Sequence, residues 1–282
     1  MKTIAIVTGA SSGIGKEFVR QLDGQYYGLL DEIWVVARSY EKLEALENMT
    51  YSKLRIFPVD LINEEELSDF VSALEHENPQ VKFLINAAGW GSFEDFKEDS
   101  LDRNMSMVDL NVRALVEMTY QVLPYMYKNS HIINMGSVAA FMPLAGASIY
   151  AASKSFVLTF SRALHHELKD VGISVTTVCP PGVHTNFFKR AGNKSGVYNT
   201  IARLGIIEPF DVVNLALEDA RMQKDISLPS FAAKFLYVAS RLTPTDLSFA
   251  IQEWMARPLE DDELKEQAVK DFNGTVTKSE LN

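Results

Sequence analysis

Six short apolar runs punctuate the first 180 residues: TIAIVTG (3–9), EIWVVAR (32–38), LRIFPVD (54–60), KFLINAAG (82–89), HIINMGS (131–137) and ISVTTVCP (173–180). Each is nearly continuous in apolar character and rich in β-branched residues, the pattern of strands buried on both faces. Between them the apolar positions recur with helical spacing over 12–30, 40–48, 63–77, 101–128 and 149–170. Strand and helix alternating in this way predict an α/β fold on a parallel sheet. DISLPS (225–230) reads as a weaker seventh strand. Past Pro181 the regularity breaks. Residues 185–207 mix Gly, Asn, Lys and apolar side chains, and helical patterns resume at 208–223 and 231–255. With neither a repeat nor a linker, residues 1–257 are expected to form one domain, and the charged stretch 258–282 a loosely ordered acidic tail.

Composition narrows the picture. The 282 residues are 47% hydrophobic and 23% charged, enough for a sizeable core, and the net charge of −10 disfavours a nucleic-acid partner. Cys179 is the only cysteine, so no disulfide forms within the chain, which fits a reducing compartment. The first apolar run is too short for a signal peptide and no run reaches the length of a membrane span. These features lead to the expectation of a soluble cytoplasmic protein, with triplets such as Asn48-Met-Thr as chance glycosylation matches. His76, His131, His165, His166 and His184 have no zinc-site spacing, and no catalytic metal is expected.

Candidate chemistry concentrates in three places. TGASSGIGKE (8–17) sets Gly9, Gly13 and Gly15 where the first strand turns into a helix. Glycine permits close backbone approach to a phosphate, and the helix N-terminus offers free N–H groups. The spacing is neither that of the common dinucleotide fingerprint nor that of a P-loop, and a tight turn without ligand is the alternative. The second strand ends in Ala37-Arg38, where a ribose-binding carboxylate would otherwise stand. Arg38 suits a 2′-phosphate and favours NADP(H) over NAD(H), the alternative being an ordinary surface arginine. Third, Tyr150 and Lys154 lie one helical turn apart in SIYAASKSF (148–156). A free tyrosine has a pKa of about 10, and a nearby ammonium is expected to lower it toward useful acid–base range. A helix-surface pair is the bland alternative.

Taken in order along the chain, these residues resemble the short-chain dehydrogenases/reductases in their single-domain branch. The family's T-G-x-x-x-G-I-G is present as Thr8 to Gly15, its N-N-A-G as Asn86-Ala87-Ala88-Gly89 with the second Asn replaced, and its Ser and Tyr-x-x-x-Lys as Ser137, Tyr150 and Lys154. Asn111 in DLNVRAL matches its helix asparagine, and Asp60 its adenine-contacting aspartate. The likeness covers residues 3–190. In CPPGVHT (179–185) the family's P-G-x-V-x-T is altered, with Pro181 at the glycine position while Pro180, Val183 and Thr185 keep register.

The resemblance implies a Rossmann-type doubly wound parallel sheet of about seven strands with helices on both faces. It implies NADP(H) held by Thr8, Gly9, Ser11, Ser12, Gly13, Ile14, Gly15, Arg38, Asp60, Asn86, Ala88, Gly89, Tyr150, Lys154, Pro180, Val183 and Thr185. Tyr150 is then the general acid/base. Lys154 also binds the nicotinamide ribose, Ser137 holds the substrate oxygen, and Asn111 holds a water that relays protons from Lys154. Residues 185–255 become a substrate lid. Phe187, Phe188, Tyr198, Leu204, Ile206 and Ile207, with Phe93, Phe96, Phe141, Met142 and Leu144, are candidates for an apolar cleft. An apolar ketone or aldehyde follows, such as a steroid or 3-oxoacyl chain. A homodimer or homotetramer through 101–128 and 149–170 is expected. FAAKFLYVASRL (231–242) could rest on a membrane surface, but packing against the body or a second subunit is favoured. The rival functions are a non-catalytic NADP(H)-binding or redox-sensing module and a nucleotide-sugar epimerase or dehydratase, for which the chain is short.

Overall fold

A computed structural model describes residues 1–191 and 197–257, the side chains of Lys189, Arg190 and Tyr198 excepted. The expectation for the tail lies outside the described residues. Strands β1 (Thr3–Thr8), β2 (Glu32–Ala37), β3 (Leu54–Pro58), β4 (Gln80–Asn86), β5 (Met126–Met135), β6 (Ser174–Val178) and a two-residue strand Ile226–Ser227 form one sheet. Every pairing is parallel. Their spatial order, 3-2-1-4-5-6 and then Ile226–Ser227, reverses direction between β1 and β4. At such a reversal the following loops diverge, and a crevice opens at the strands' carboxyl ends.

Alternation along the strands fills both faces, because successive side chains point to opposite sides. Ala5, Val7, Ile33, Val35, Phe83 and Ile85 pack beneath α1 (Gly13–Tyr26) and a later helix, Pro209–Arg221. Ile4, Ile6, Trp34, Val36 and Leu84 face α3 (Glu64–Glu77) and α5 (Ala114–Val122). Between β2 and β3 lies the short α2 (Tyr40–Glu44). The doubly wound sheet of seven strands is as expected.

Boundaries differ where the sequence signal was local. The segment 101–128 is not one helix. α4 (Leu101–Val108) passes through a π turn (Asp109–Arg113) into α5, a short 3₁₀ turn (Leu123–Tyr125) follows, and β5 already begins at Met126. Pro124 lacks the N–H that a continuing helix needs, and the Ser130 hydroxyl reaches the Val81 carbonyl (2.8 Å) to draw the chain onto β4. After α6 (Ser148–Glu167), a small parallel pair absent from the sequence reading joins β7 (Gly182–Val183) to β8 (Ile206–Ile207). It ties together α7 (Phe187–Ala191) and α8 (Val197–Leu204). α9 is Pro209–Arg221, and β9 is Ile226–Ser227. The segment 231–255 is two helices, α10 (Phe231–Leu242) and α11 (Thr245–Ala256), parted by Pro244. The segment 231–242 rests on the body through Ala233, Leu236 and Tyr237, the Tyr237 ring meeting Phe141 at 5.3 Å. Its opposite side, with Phe231, Phe235, Val238 and Leu242, is exposed.

Candidate active site

The carboxyl ends of β1, β2, β4, β5 and β6 open into one continuous cleft of about 1100 Å³. It runs from Arg38 and Asp60 past the glycine turn to Ser137, Tyr150 and Lys154, and on beneath α7, α8, α10 and α11.

At the glycine turn, Gly9 has φ +67° and a Cβ there would lie 2.7 Å from the Ala88 nitrogen; a Cβ on Gly15 would lie 2.3 Å from the Gly9 carbonyl oxygen. Neither position admits a side chain, so the turn folds flat against the β4 loop. Thr8 secures the other side. Its Oγ1 accepts from the Ala87 and Ala88 amides (3.1 and 3.2 Å) and donates to the Ile85 carbonyl. Thr8 therefore clamps β1 to β4 and does not line the cleft, which Gly9, Ser11, Ser12, Gly13, Ile14 and Gly15 do. The first turn of α1 has no side-chain cap and no acidic residue. By contrast, α3 is capped by Asn63 and carries three glutamates there. Unsatisfied N–H groups and the positive end of the helix dipole, free of any competing carboxylate, fit a diphosphate.

At the far end, Arg38 is 71% exposed, with Nη1 3.9 Å from the Asp60 carboxylate. Lys42, one turn into α2, lines the same end and was missed in the sequence. Asn86 is turned away. Its Nδ2 donates to Thr119 Oγ1 and Asn134 Oδ1 inside the protein, so it braces β4 against β5 and α5 while Ala88 and Gly89 face the cleft.

Ser137 lies two residues past the end of β5, capping a 3₁₀ turn (Val138–Ala140), and its Oγ accepts from the Ala139 amide (3.1 Å). Tyr150 and Lys154 sit on the buried face of α6, 8% and 6% exposed, as the four-residue spacing predicts. The Lys154 ammonium donates to the Met135 carbonyl (2.8 Å) and stands 5.8 Å from the Tyr150 ring centroid. Phe93 and Phe187 flank the phenol ring at 5.8 and 5.7 Å. Gly91 makes room for this cage, since a Cβ there would lie 2.8 Å from Phe187 and 2.9 Å from Tyr150. The expected acidification of Tyr150 is not what this environment produces. Burial pushes the phenol up to about 12, with the Ser137 hydroxyl only partly opposing it. Burial also lowers the Lys154 ammonium to about 8. Desolvation outweighs their mutual attraction because both groups are deep and make no direct hydrogen bond to each other.

Asn111 lies within the π turn, a distortion that often marks functional positions. Its Nδ2 donates to the Trp90 carbonyl (2.9 Å) and Ser153 Oγ (3.1 Å), and its Oδ1 accepts from the Trp90 amide. Both amide hydrogens and one acceptor position of the oxygen are thus used in fastening the 89–91 loop and α6 to the π turn. Cys179 is fully buried, its thiol raised by burial to about 12 and therefore inert.

Pro180, Pro181, Val183 and Thr185 all line the cleft. Thr185 Oγ1 accepts from the Phe187 amide (3.3 Å) at the start of α7, and its methyl would lie 3.1 Å from a Cβ on Gly13. The displaced glycine has its own use. A Cβ on Gly182 would come within 2.5 Å of Ile201, so α8 packs directly on β7. Of the apolar candidates, Phe93, Met142, Leu144, Phe187, Phe188 and Leu204 line the cleft. Phe96 is exposed, Phe141 packs on Tyr237, and Ile206 and Ile207 pack in the adjoining clusters. The Tyr198 side chain lies outside the described residues. Ile251, Gln252 and Met255 of α11 also reach the cleft; no local signal marked them.

A parallel sheet that reverses order beside a glycine-lined helix start, with a tyrosine, lysine and serine on the cleft floor, defines a dinucleotide-dependent oxidoreductase class. The short chain dehydrogenase family model matches residues 3–196, and the chain belongs to that family. It is 32% identical to the NADP-dependent 3-hydroxy acid dehydrogenase of Escherichia coli over 180 residues, 63% of this chain and 71% of that one. Among solved structures it is similar to a short-chain dehydrogenase from Sphingobium yanoikuyae in complex with NADPH. That match has TM-score 0.71 and 27% identity, and covers 93% of this chain and 100% of that one. It is also similar to the bulky-bulky ketone specific alcohol dehydrogenase from Comamonas testosteroni, with TM-score 0.66, 25% identity and coverage of 92% and 96%.

Proposed function

We propose that this oxidoreductase transfers hydride between NADP(H) and the carbonyl or hydroxyl carbon of an apolar small molecule, with Tyr150 as general acid/base. The observation that carries this reading is the meeting of Ser137, Tyr150 and Lys154 in the same cleft as the uncapped glycine turn. A bound nicotinamide would supply or accept the hydride. Ser11, Ser12 and the first amides of α1 would hold the diphosphate, and Arg38 with Lys42 a 2′-phosphate. The NADP-dependent relative and the NADPH-bound neighbour support that preference.

Ser137 orients the substrate oxygen toward the phenol. Tyr150, neutral at ordinary pH because burial keeps its pKa high, gives its proton to that oxygen in reduction and takes it back in oxidation. The Lys154 ammonium, held by the Met135 carbonyl, supplies positive charge behind the phenol as phenolate character develops. Asn111 holds the loop bearing Gly89, where any side chain would press on its own Oδ1 and approach the Lys154 Nζ (2.9 and 3.6 Å). Phe93, Phe187 and Leu144 exclude water and match an apolar substrate, and residues 185–255 act as the lid of a single domain. The ketone-specific neighbour is consistent with that substrate class.

Tyr150→Phe is expected to lower turnover at least about a hundredfold, the range of a lost general acid, with NADPH affinity nearly unchanged. Full activity in that variant overturns the assignment. Arg38→Ala is expected to weaken NADPH about tenfold, the worth of a charge-assisted hydrogen bond, and to leave NADH binding unchanged in fluorescence titration. With Lys154 titrating near 8, the rate of reduction is expected to fall as pH rises through that value.

A further inference from the structure

A helix resting on a globular body normally buries its large apolar side chains and shows polar ones to water. α10 seats Ala233, Leu236 and Tyr237 on the body but leaves a second apolar side uncovered. Phe231, Phe235, Val238 and Leu242, spaced four, three and four residues apart, form one stripe, and all are exposed, Phe231 at 84% and Leu242 at 79%. α11 repeats the arrangement, with Leu247, Ile251 and Trp254 exposed on one side and Ser248 and Gln252 buried on the other. Phe235 and Ile251, one from each stripe, both line the cleft, so the two stripes meet at its mouth. Seven large apolar side chains gathered in this way are a patch, not the scattered single exposures of an ordinary surface. Among the described residues nothing covers it. α10 also carries Lys234 and Arg241, both exposed, and no carboxylate, in a chain whose net charge is −10, whereas α11 carries Asp246 and Glu253, both exposed.

We propose that α10 docks on an anionic lipid surface, its exposed stripe lying in the interface and the adjoining cleft mouth opening toward the acyl chains. An apolar stripe of Phe, Val and Leu flanked by Lys and Arg, as in α10, has the composition of an interfacial helix. Anionic headgroups attract such a local cationic site even on an acidic protein. A second copy related by a two-fold axis fits less well. A copy seated over both stripes would cover the cleft mouth, where Phe235 and Ile251 stand. No described helix is long and apolar enough to cross a membrane, so the attachment is peripheral. The docking stands independently of the hydride-transfer reading; only its consequence, that apolar substrate reaches the cleft from the bilayer, rests on that reading.

The test is flotation of the full chain with phosphatidylcholine vesicles, with and without phosphatidylserine. The chain is expected to float with the anionic vesicles and far less with the neutral ones. Phe231→Ser/Val238→Ser/Leu242→Ser, outside the cleft lining, should weaken binding about tenfold or more while circular dichroism and melting stay unchanged. Lys234→Gln/Arg241→Gln, which spares the apolar stripe, should weaken binding to anionic vesicles alone, about thirtyfold for the loss of two cations. Absence of flotation, or equal flotation of both variants and the wild type, overturns the proposal. A solution dimer that the serine variant dissolves, without vesicle binding by the wild type, assigns the face to a second copy and also overturns it. Because flotation reads no turnover, failure of the docking and failure of the enzymatic reading are separate results.

Discussion

Tyr150 and Lys154 show how depth changes a side chain's chemistry. Side by side in water, an ammonium would acidify a phenol. In this cleft both are desolvated, and each is driven toward its neutral form. A lysine whose folded value is depressed to about 8 stabilises the fold fully only above its ordinary value near 10.5. That contribution is lost as pH falls through 8, so at neutral pH the buried charge is a burden. Lys154→Met is therefore expected to raise stability by roughly 1–3 kcal/mol at pH 7, partly offset by the loss of the bond to the Met135 carbonyl, while removing turnover. The gain should shrink toward zero near pH 10.5. Denaturant melts of both proteins at the two pH values check this, and a variant less stable than wild type at pH 7 contradicts it.

At the scale of elements, the site depends on close approaches that only glycine permits. Gly182 lets α8 settle on β7, with Ile201 occupying the space a Cβ would take. Gly182→Ala is expected to cost about 1–3 kcal/mol by overpacking and to raise KM more than it lowers kcat, because α8 roofs the cleft and carries none of the proposed proton-transfer residues. Adding Ile201→Ala should restore much of the stability. If the double variant is as impaired as the sum of the singles, the contact is not the cause. The same scale explains the misread helix at 101–128. Periodicity reported apolar spacing correctly, but β5 begins at Met126 because tertiary pairing with β4 captures the chain there.

Across the whole molecule, the sheet's buried polar groups set its response to acid. His131 stacks on Phe83, with Nδ1 2.7 Å from Ser174 Oγ. Burial lowers its value to about 4. A group depressed in this way contributes stability fully above its ordinary value near 6.5, and that contribution disappears as pH falls toward 4. Glu32 behaves similarly in a lower window. Burial raises it, but hydrogen bonds from Lys53, Lys2 and Trp34 prevail and hold it at about 2, so its contribution fades only below the ordinary 4.5. Wild-type stability is expected to drop on the order of 3 kcal/mol between pH 6.5 and 4 through His131. His131→Gln should flatten that part of the curve and leave the lower-pH loss in place. Urea titrations across the range measure both, and an unchanged slope in the variant excludes His131.

What the sequence determined by itself was whatever has a short-range signature. Strand order along the chain, the glycine turn, and the Tyr150–Lys154 spacing are each written within one element or one turn, where backbone geometry alone fixes the outcome. Tertiary structure decided the rest. Thr8 and Asn86 stand in family-like positions yet brace the sheet's interior, because whether a side chain faces a cleft depends on elements nearly 50 to 80 residues away. The roof over the cleft, the exposed stripe of α10 and the protonation behaviour of Tyr150 and Lys154 likewise depend on burial. Burial is a property of the assembled chain, set by neighbours that no local pattern of residues names.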